Sequence, residues 1–590
     1  DWAVRYVQRF NPDKREFDIM ALKLDDPAAY KILCDGNTTA VFQLESRGMK
    51  ELLKKLRPNT FEDIIAMLAL YRPGPLESGM VDDFVNRKHG RAAVDYFHPD
   101  LEGTLKSTYG VIVYQEQVML ISQIIGGYSL GGADLLRRAM GKKKAEEMAK
   151  HRELFEKGAV EKGHDAKLAV TLFDLMEKFA GYGFNKSHSA AYALIAYQTA
   201  WLKAYHPAEF LAATLSSDMD DTDKVQTFWR DALENGVEVL PPDVNASGYR
   251  FEPVADRHTE KGLPPRTMRY GLGAVKGTGQ GAVEDIVRAR EEGGPFKDLF
   301  DFCRRVGKQS VNRRTVEALI RAGAFDGIAA NRAALLASVP MAMEAAEQAA
   351  RSANQNSLFG DDTGDVVAME LHKVAPWGLH TRLTEEKSAL GYYFSGHLFD
   401  AWRDEVRRIV PSPLVRLEPM RDLQWMAGAL SSVRTMMTRR GKMMFVVMDD
   451  GSAQIEVAVY AELMEKHRDR LREDQLLIVH GKVTNDEYSG GVRIVADSLY
   501  DLQLAREARA RALRIRLNGQ ADADKLRQML NPYRAEPDSG IPGTPVEISY
   551  MRNNFLCTVR LGEAWRVRMA DTLLEQLGTW AKPDGIEVLY

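Results

Sequence analysis

The sequence predicts a multidomain α+β protein with a helical first part, a β-barrel and a small α/β unit at the end. Its 590 residues, 45% hydrophobic and 27% charged, are enough for about three to five globular domains. Apolar residues recur at helical spacing before residue 240, whereas short alternating strands fill 421–500. We therefore divide the chain into 1–239, 240–370, 371–420, 421–502 and 503–590, with the proline-containing stretch Leu240–Asp243 at the first boundary.

Composition and charge narrow the class of protein. The net charge is −4, so any binding to nucleic acid has to come from local basic surfaces. The cysteines Cys34, Cys303 and Cys557 stand far apart, which argues against a disulfide framework and indicates a reducing cytoplasm. The sequence contains no signal peptide and no apolar run of about eighteen residues. It starts at Asp1 in what reads as the middle of a helix, so we expect a piece of a longer protein.

The most basic stretch is 135–144, where five cations fall within eight residues: Arg137, Arg138, Lys142, Lys143 and Lys144. The pattern from Ala133 to Met140 predicts a helix that ends at Gly141, which places the two arginines in its last turn. Guanidinium forks bind phosphate oxygens, so several such groups together suit a triphosphate. The other interpretation is that these cations only stabilise the carboxyl end of the helix.

A second polar stretch, 179–193, precedes an apolar helix over Ala190–Ala204. Two glycines give its backbone freedom to turn, and four polar side chains crowd the start of the helix: Asn185, Lys186, Ser187 and His188. We expect Ser187 or Ser189 to cap this helix, which would leave its first amides and the Lys186 charge available to an anion. The alternative is a helix cap with a few solvated polar groups, and a lone histidine is usually structural.

The stretches Leu130–Lys144 and Phe179–Ala193 resemble the fingers domain of the bacterial replicative DNA polymerase III alpha-subunit family. The likeness continues upstream in Thr39–Met49, Tyr71–Leu76 and Tyr114–Gln117, and it covers essentially the whole chain from fingers to tail. The resemblance implies that Arg137 and Arg138 hold the triphosphate of the incoming nucleotide. It also implies that the side chains at the start of the second helix line the nucleotide or template, namely Asn185, Lys186 and His188.

The same resemblance implies DNA-directed DNA polymerase activity, in which a primer 3′-hydroxyl attacks the nucleotide. The Mg²⁺ ions would be held by palm carboxylates that precede this chain, so we expect no catalytic residue here and no activity from these residues alone. The implied partners are primer-template DNA, the incoming dNTP, a sliding clamp, a clamp-loader subunit and a proofreading exonuclease. The alternative function is a non-enzymatic module that tethers DNA and the clamp.

One acidic stretch, Asp218–Asp223, could bind a metal ion, since polymerases use paired carboxylates for Mg²⁺. It lies between two predicted helices, however, and Asp and Thr are common residues at helix starts. We therefore interpret this stretch as helix capping.

The mostly helical sequence pattern ends at Leu240–Asp243. The region 240–370 that begins there contains the glycine-rich stretch Tyr270–Val283. Its glycines fit a dinucleotide-binding pattern, but the helices that follow do not supply the second strand which that motif needs. A helix-hairpin-helix, whose glycine turn presents amides to DNA phosphates, explains the pattern better. A simple glycine-rich connector is the other interpretation. The predicted DNA-binding residues are Lys276, Gly277, Gly279, Arg313 and Arg314.

A short peptide, 355–359, follows the predicted helix Arg332–Ala353 and precedes an acidic, glycine-containing stretch. It is similar to the sliding-clamp-binding pentapeptide, with Asn356 at the tolerant second position. Its apolar pair can anchor in a partner pocket, so the predicted clamp-binding residues are Gln355, Ser357, Leu358 and Phe359. Alternatively, the peptide is a loop folded back onto its own domain.

After a helical bridge over 371–420, three strands, a helix and two strands over 421–502 predict an OB-fold barrel. Its first inter-strand loop is expected to carry the cations that meet single-stranded DNA, namely Arg434, Arg439, Arg440 and Lys442. The alternative is a purely structural barrel. Residues 503–590 predict a strand, a helix, three short strands, a helix and a strand. The resemblance implies that this unit docks to the clamp-loader subunit.

Overall fold

The computed structural model describes residues 1–142, 145–179, 183–307, 311–354, 369–438, 441–485, 492–518, 522–535, 543–552, 555–581 and 585–590. The chain divides into two compact units. The first comprises Asp1–Pro376 and Ser388–Tyr392, and the second comprises Trp377–Lys387 and Tyr393–Tyr590. Within the described ranges, no helix has both the length and the apolar character needed to cross a membrane.

Helices build the first unit up to residue 234. They are α1 (Trp2–Phe10), α2 (Pro27–Cys34), α3 (Arg47–Leu56), α4 (Phe61–Leu70), α5 (Pro73–Glu77), α6 (Met80–Lys88), α7 (Glu102–Leu105), α8 (Gln115–Ile124), α9 (Leu130–Lys142), α10 (Ala145–Glu161), α11 (Ala166–Phe179), α12 (Lys186–Tyr205), α13 (Pro207–Ser217) and α14 (Thr222–Glu234). The predominantly helical character that the sequence predicts for this region is confirmed.

Local sequence explains where several of these helices begin. The hydroxyl of Thr60 accepts the Asp63 amide at 3.3 Å, while the Asp63 carboxylate accepts the Thr60 amide at 3.1 Å. This reciprocal capping starts α4, which is apolar and buried on most of its surface. Helix α12 then packs against α2, α4 and α13, so it is a central element of the first unit.

Helix α9 differs from its prediction at one end. It runs through Gly141 to Lys142, whereas the sequence pattern predicts an end at Met140. The prediction was wrong because glycine permits a helix end but does not require one. The two arginines at 137 and 138 therefore lie before the last turn of α9 and not within it.

The rest of the first unit combines a small sheet with further helices. Strands β1 (Glu238–Leu240), β2 (Glu252–Val254) and β3 (Thr267–Arg269) form a sheet of order β1-β3-β2, with β1 parallel and β2 antiparallel to β3. Four helices follow: α15 (Gln280–Gly293), α16 (Leu299–Val306), α17 (Arg313–Arg321) and α18 (Arg332–Asn354). The hydroxyl of Tyr6 in α1 donates to the Phe251 carbonyl at 2.8 Å, which joins the first helix to the start of β2.

The second unit contains the predicted barrel. Helices α19 (Leu379–Leu390), part of which belongs to the first unit, and α20 (Arg403–Ile409) precede it. The barrel elements are β4 (Gln424–Thr438), β5 (Gly441–Asp449), β6 (Gln454–Tyr460), α21 (Ala461–Lys466), β7 (Leu476–Asn485) and β8 (Val492–Tyr500). The strands close in the order β4-β5-β6-β8-β7, which confirms the predicted series of three strands, a helix and two strands.

The chain ends in a small α/β unit with a four-stranded sheet of order β11-β10-β9-β12. Its elements are α22 (Leu502–Arg509), β9 (Ala512–Asn518), α23 (Ala523–Leu530), β10 (Val546–Arg552), β11 (Phe555–Arg560), α24 (Asp571–Ala581) and β12 (Ile586–Leu589). Between α23 and α24, the described residues form two strands where the sequence predicts three. The remaining backbone pairs there are the single bridges of Val567 with Arg534 and Thr544.

Candidate nucleotide and nucleic-acid sites

Gln115, the first residue of α8, joins the two stretches that the sequence marks as a site. Its side-chain carbonyl accepts Arg137 Nη1 at 3.1 Å, and its Nε2 donates to the Gly183 carbonyl at 3.2 Å. The Gln115 amide also donates to the Phe184 carbonyl at 2.9 Å. The amino end of α8 therefore holds the arginine helix and the backbone ahead of α12 together.

The paired arginines share one carboxylate, that of Asp134 one turn earlier in α9. Arg137 donates to Asp134 Oδ1 from Nε at 3.0 Å and from Nη2 at 2.8 Å, and Arg138 Nε lies 2.8 Å from Oδ2. The hydrogen bond from Arg137 and the charge of Arg138 hold the pKa of Asp134 below its ordinary value. The Arg138 side chain is 63% exposed, against 33% for Arg137, so Arg138 is the more accessible to an anion.

Helix α12 starts at an asparagine cap and not at a serine cap. Asn185 Oδ1 accepts the His188 amide at 2.8 Å and the Ser187 hydroxyl at 2.6 Å. Ser189 is buried and donates to the Ile65 carbonyl at 2.6 Å. The prediction that Ser187 or Ser189 caps the helix was therefore wrong. All of these residue types can cap, and the burial of Ser189 against α4 depends on tertiary packing.

A carboxylate already occupies the start of α12. Glu116 accepts the Lys186 amide at 3.1 and 3.0 Å through its two oxygens, and it accepts Asn185 Nδ2 at 2.9 Å. The expectation that this first amide is available to an anion was therefore wrong. The Lys186 ammonium lies 3.0 Å from Glu62 Oε2 and 5.4 Å from the centre of the Tyr114 ring, so its charge is paired as well.

His188 belongs to a row of rings. Its imidazole lies 4.5 Å from the Tyr192 ring, one turn further along α12, and 5.6 Å from the Phe184 ring. The Arg72 guanidinium covers the other end of the row, 4.5 Å from the Phe184 ring, and burial lowers its pKa. This row was not predicted from the sequence, although the four-residue spacing of His188 and Tyr192 on one helix is a signal for it.

The glycine turn before α15 forms a second candidate site. Gly277 has a φ of +83°, in the left-handed region that favours glycine, and Gly279 is the cap residue of α15. No heavy atom of the described chain lies within 4 Å of where a Cβ would stand at either glycine, so this turn presents its backbone openly. The Thr315 hydroxyl donates to the Gly277 carbonyl at 3.2 Å, which brings the start of α17 beside the turn.

The cations predicted for this turn have exposed side chains. Arg313 and Arg314 open α17 after Asn312, whose Oδ1 accepts the Thr315 amide at 3.0 Å. Arg313 Nε lies 2.7 Å from Glu317 in the next turn. The Lys276 amide donates to the Ala389 carbonyl at 2.8 Å. The structure therefore gathers the glycine turn and the start of α17, both rich in exposed donors, into one surface.

The barrel cations are arranged differently from their prediction. Arg434 lies within β4, opposite Phe445 of β5, with its guanidinium 5.6 Å from that ring and an ion pair to Glu456. Lys442 is exposed on β5, opposite the exposed Met437. The predicted loop is thus mostly a β4–β5 hairpin, because backbone pairing continues to Thr438 and Gly441. The other two predicted cations, Arg439 and Arg440, lie outside the described residues.

The acidic stretch caps a helix, as its sequence indicates. Asp221 accepts the Lys224 amide at 3.2 Å at the start of α14, and the Lys224 ammonium lies 2.7 Å from Asp218. Among the described residues, no three or more His, Cys, Asp or Glu side chains are grouped to hold a metal ion. The described donor set therefore does not fit a Mg²⁺ pair. The peptide with Gln355, Ser357, Leu358 and Phe359 lies outside the described ranges.

Three structural features define a class of protein: a closed five-stranded barrel, an open glycine turn at the start of a helix, and a helical domain with two adjacent arginines, of which Arg138 is mostly exposed. Together they are typical of a multidomain nucleic-acid-binding protein.

Comparison with known families agrees with that class and matches four parts of the chain to particular domain families. The bacterial DNA polymerase III alpha subunit finger domain matches residues 1–163, and a helix-hairpin-helix motif matches 236–335. An OB-fold nucleic acid binding domain matches 424–502, and the DNA polymerase III subunit alpha C-terminal domain matches 525–580. The fold class that the sequence predicts is confirmed by this series.

Curated relatives match along nearly the whole chain. DNA polymerase III subunit alpha of Neisseria meningitidis serogroup A is 49% identical over 564 residues, 95% of this chain and 48% of that protein. The subunits of Pseudomonas aeruginosa and Escherichia coli strain K12 are 46% and 43% identical, with 100% and 98% of this chain covered and 52% and 50% of theirs. Over nearly its whole length the chain is similar to bacterial DNA polymerase III alpha subunits, and it spans about half the length of these relatives.

Proposed function

We propose that this chain supplies the nucleotide- and DNA-holding part of a replicative DNA-directed DNA polymerase. In the whole enzyme, a primer 3′-hydroxyl attacks the α-phosphate of the incoming dNTP, and pyrophosphate leaves. The observation that carries the proposal is the hydrogen-bonded connection from Arg137 through Gln115 to Gly183, which joins the basic stretch 135–144 to the polar stretch 179–193. Similarity to named polymerase subunits favours this function over a non-enzymatic tethering module.

The residues of this site have separate roles in the proposal. Arg138, which is mostly exposed, and Arg137 neutralise the triphosphate. The triphosphate then replaces Asp134 as the partner of Arg138. His188 and its neighbouring rings offer a stacking surface on the nucleotide or template side, and Asn185 and Lys186 flank that surface.

Replacement of Arg138 by Ala in the full-length subunit tests this proposal. We expect the nucleotide KM to rise by roughly ten- to a hundredfold, since a lost charged hydrogen bond costs about 1.5–3 kcal/mol. Arg138 is a better test than Arg137 because Arg137 also contacts Gln115, so its loss would disturb the α8 junction as well. Steady-state primer extension at varied dNTP concentration gives KM and kcat.

The control is Lys157→Ala on α10, whose side chain is 76% exposed and 3.9 Å from Glu161. This change removes one exposed cation of the same helical domain, and we expect it to leave KM unchanged. An Arg138→Ala enzyme with the KM and kcat of the unaltered subunit would remove the arginine pair from the nucleotide site.

We propose DNA contacts at two further surfaces. The open turn at Gly277 and Gly279 suits a backbone phosphate, and exposed cations beside it add charge, namely Lys276, Arg313 and Arg314. The β4–β5 hairpin, with Arg434 and Lys442 exposed, suits a single strand, and Arg439 and Arg440 of the sequence between these strands would add charge. Neither surface needs to read base sequence, which a replicative enzyme must ignore.

The proposals for the metal ions, the partner proteins and the location rest on the sequence and on the similarity to the named relatives. The Mg²⁺ ions of the reaction would bind to carboxylates outside this chain, so we expect no primer extension from these 590 residues alone. The peptide 355–359 would bind a sliding clamp, and the terminal α/β unit would dock a clamp-loader subunit beside a proofreading exonuclease. Three free cysteines agree with a cytoplasmic location.

A further inference from the structure

A cavity of about 300 Å³ lies between the end of α1 and the small sheet of the first unit. Helix α1 contributes Arg9 and Phe10 to its wall, and the β2–β3 pair contributes Glu252 and Arg269. These last two residues are directly opposite each other in the antiparallel register, so they share one face of the sheet. The segment that leads into β2 closes the remaining side, with Arg250 among its residues.

The charges of this cavity are unbalanced. Three arginines line it, Arg9, Arg250 and Arg269, against the single carboxylate of Glu252. Arg9 lies 3.5 Å from Glu252, and Arg269 lies 3.9 Å from Asp243, both longer than a good hydrogen bond. Guanidinium groups with such loose partners around a concave surface are positioned to donate to an anion with several oxygens.

Arg250 is held in place without an acid. Its guanidinium lies 4.4 Å from the Trp2 ring, and Arg5 covers the same ring at 5.1 Å. In the described ranges, Arg250 has no carboxylate within ion-pair distance. The indole therefore orients the guanidinium but leaves its charge unneutralised, which is the state that favours binding of an anionic ligand.

We propose that this cavity binds one nucleotide unit through its phosphate, at a site separate from the arginines of α9. Phosphate oxygens match the forked donors of Arg250 and Arg269, and Arg9 joins them when it releases Glu252. The volume is at the lower end of the range of about 300–1,000 Å³ typical of small-molecule sites, which is more room than a lone phosphate needs. Phe10 supplies an apolar wall for the remaining part of the nucleotide.

Titration calorimetry of the 590-residue chain with dAMP tests the proposal, in an Arg138→Ala background that weakens binding at α9. We expect Arg250→Ala to weaken dAMP binding at least tenfold. Glu252→Gln should strengthen it several-fold, because the only carboxylate of the cavity wall is then neutral. The matched control is Arg257→Ala, an exposed arginine just after β2, which should leave binding unchanged.

Parallel titrations with inorganic phosphate and a short oligo-dT distinguish the sources of the ligand. Tighter binding of dAMP assigns the cavity to a free nucleotide, and tighter binding of oligo-dT assigns it to a nucleotide within a strand. Absence of binding by both nucleotide probes would overturn the proposal. So would phosphate binding as tight as that of both nucleotide probes, or an equal loss in Arg250→Ala and Arg257→Ala.

Discussion

At the scale of single residues, the cations of the candidate sites already have acidic neighbours. Asp134 forms ion pairs with both arginines of α9, Glu62 pairs with Lys186, and Glu317 pairs with Arg313. Exposed pairs of this kind contribute about 0–1 kcal/mol, so a phosphate with several oxygens can displace the acid. The acids thus hold the cations in a defined position, and in our proposal a phosphate then takes the place of the acid.

The helical region also contains a buried ion pair, which differs from these exposed pairs in its contribution to stability. The Lys203 ammonium of α12 lies 2.8 Å from each carboxylate oxygen of Asp231 in α14, and it donates to the Thr39 carbonyl at 2.8 Å. Both side chains are almost fully buried. Lys203 therefore connects two helices to the segment that contains Ala40 and Gln43, which both have a positive φ.

We expect Lys203→Met to reduce the free energy of unfolding by about 3–5 kcal/mol, because it leaves the Asp231 carboxylate buried without its partner. The double change Lys203→Met with Asp231→Leu should restore most of that loss, since no charge then remains buried. Denaturant unfolding of the three proteins measures these differences.

The control for this prediction is Lys224→Met, which breaks an exposed pair with Asp218. Its effect should be less than about 1 kcal/mol. A single Lys203→Met change as mild as this control would show that the buried pair contributes little to stability.

At the scale of elements, the sequence predicts which helices and strands exist better than where they end. The barrel order is confirmed, yet β4 extends to Thr438 because its second half pairs with β5. The stretch Arg434–Thr438 has no apolar alternation that would separate a strand from a loop. Only the partner strand reveals the pairing, so a local pattern could not predict it.

In the candidate site too, the contacts made at the start of α8 could not be predicted from local sequence patterns. The sequence predicts the basic stretch 135–144 and the polar stretch 179–193, but Gln115 and Glu116 contact residues 22 and 68–70 positions away. Neither a helix propensity nor a charge pattern carries that information. The cap of α12 was mispredicted for a related reason, because Glu116 and the burial of Ser189 select Asn185 as the cap.

The turn after β5 supports a prediction about pH. Burial alone would raise the pKa of Asp450, but hydrogen bonds from Ser452 and the Leu414 amide, with the Arg407 guanidinium, outweigh it and lower the pKa from 3.8 to about 2. The ionised carboxylate therefore stabilises the folded barrel above about pH 4, and this contribution is lost as the pH falls towards 2.

We expect Asp450→Asn to cost about 2 kcal/mol at pH 7, and we expect the unaltered and substituted proteins to converge as the pH approaches about 2. Thermal unfolding followed by circular dichroism between pH 7 and pH 2 provides the comparison. Asp469→Asn is the control, because that side chain is 95% exposed and should change stability little at any pH. A difference for Asp450→Asn that persists unchanged at low pH would contradict this assignment.

At the scale of the whole molecule, the proposed tasks fall in different domains. The proposed nucleotide site is in the helical domain, the glycine turn is in the region that matches a helix-hairpin-helix motif, and the barrel is in the second compact unit. Attachment to the clamp is proposed for yet another segment, 355–359. Loss of one task should therefore leave the others nearly intact, which can be measured by comparing retention on two ligands.

Deletion of residues 355–359 from the full-length subunit should abolish its retention on immobilised clamp. DNA binding should remain within about twofold, because the proposed phosphate contacts at Gly277, Gly279 and the β4–β5 hairpin are in other segments. Deletion of the adjacent residues 361–365 is the matched control, since it shortens the chain equally but keeps the apolar pair Leu358 and Phe359 that would anchor in the clamp. Equal clamp retention by the two deletion proteins would refute the peptide as the anchor. Loss of DNA binding together with clamp binding would instead show that the segment supports the fold, because a peptide that contacts only the clamp leaves the phosphate contacts unchanged.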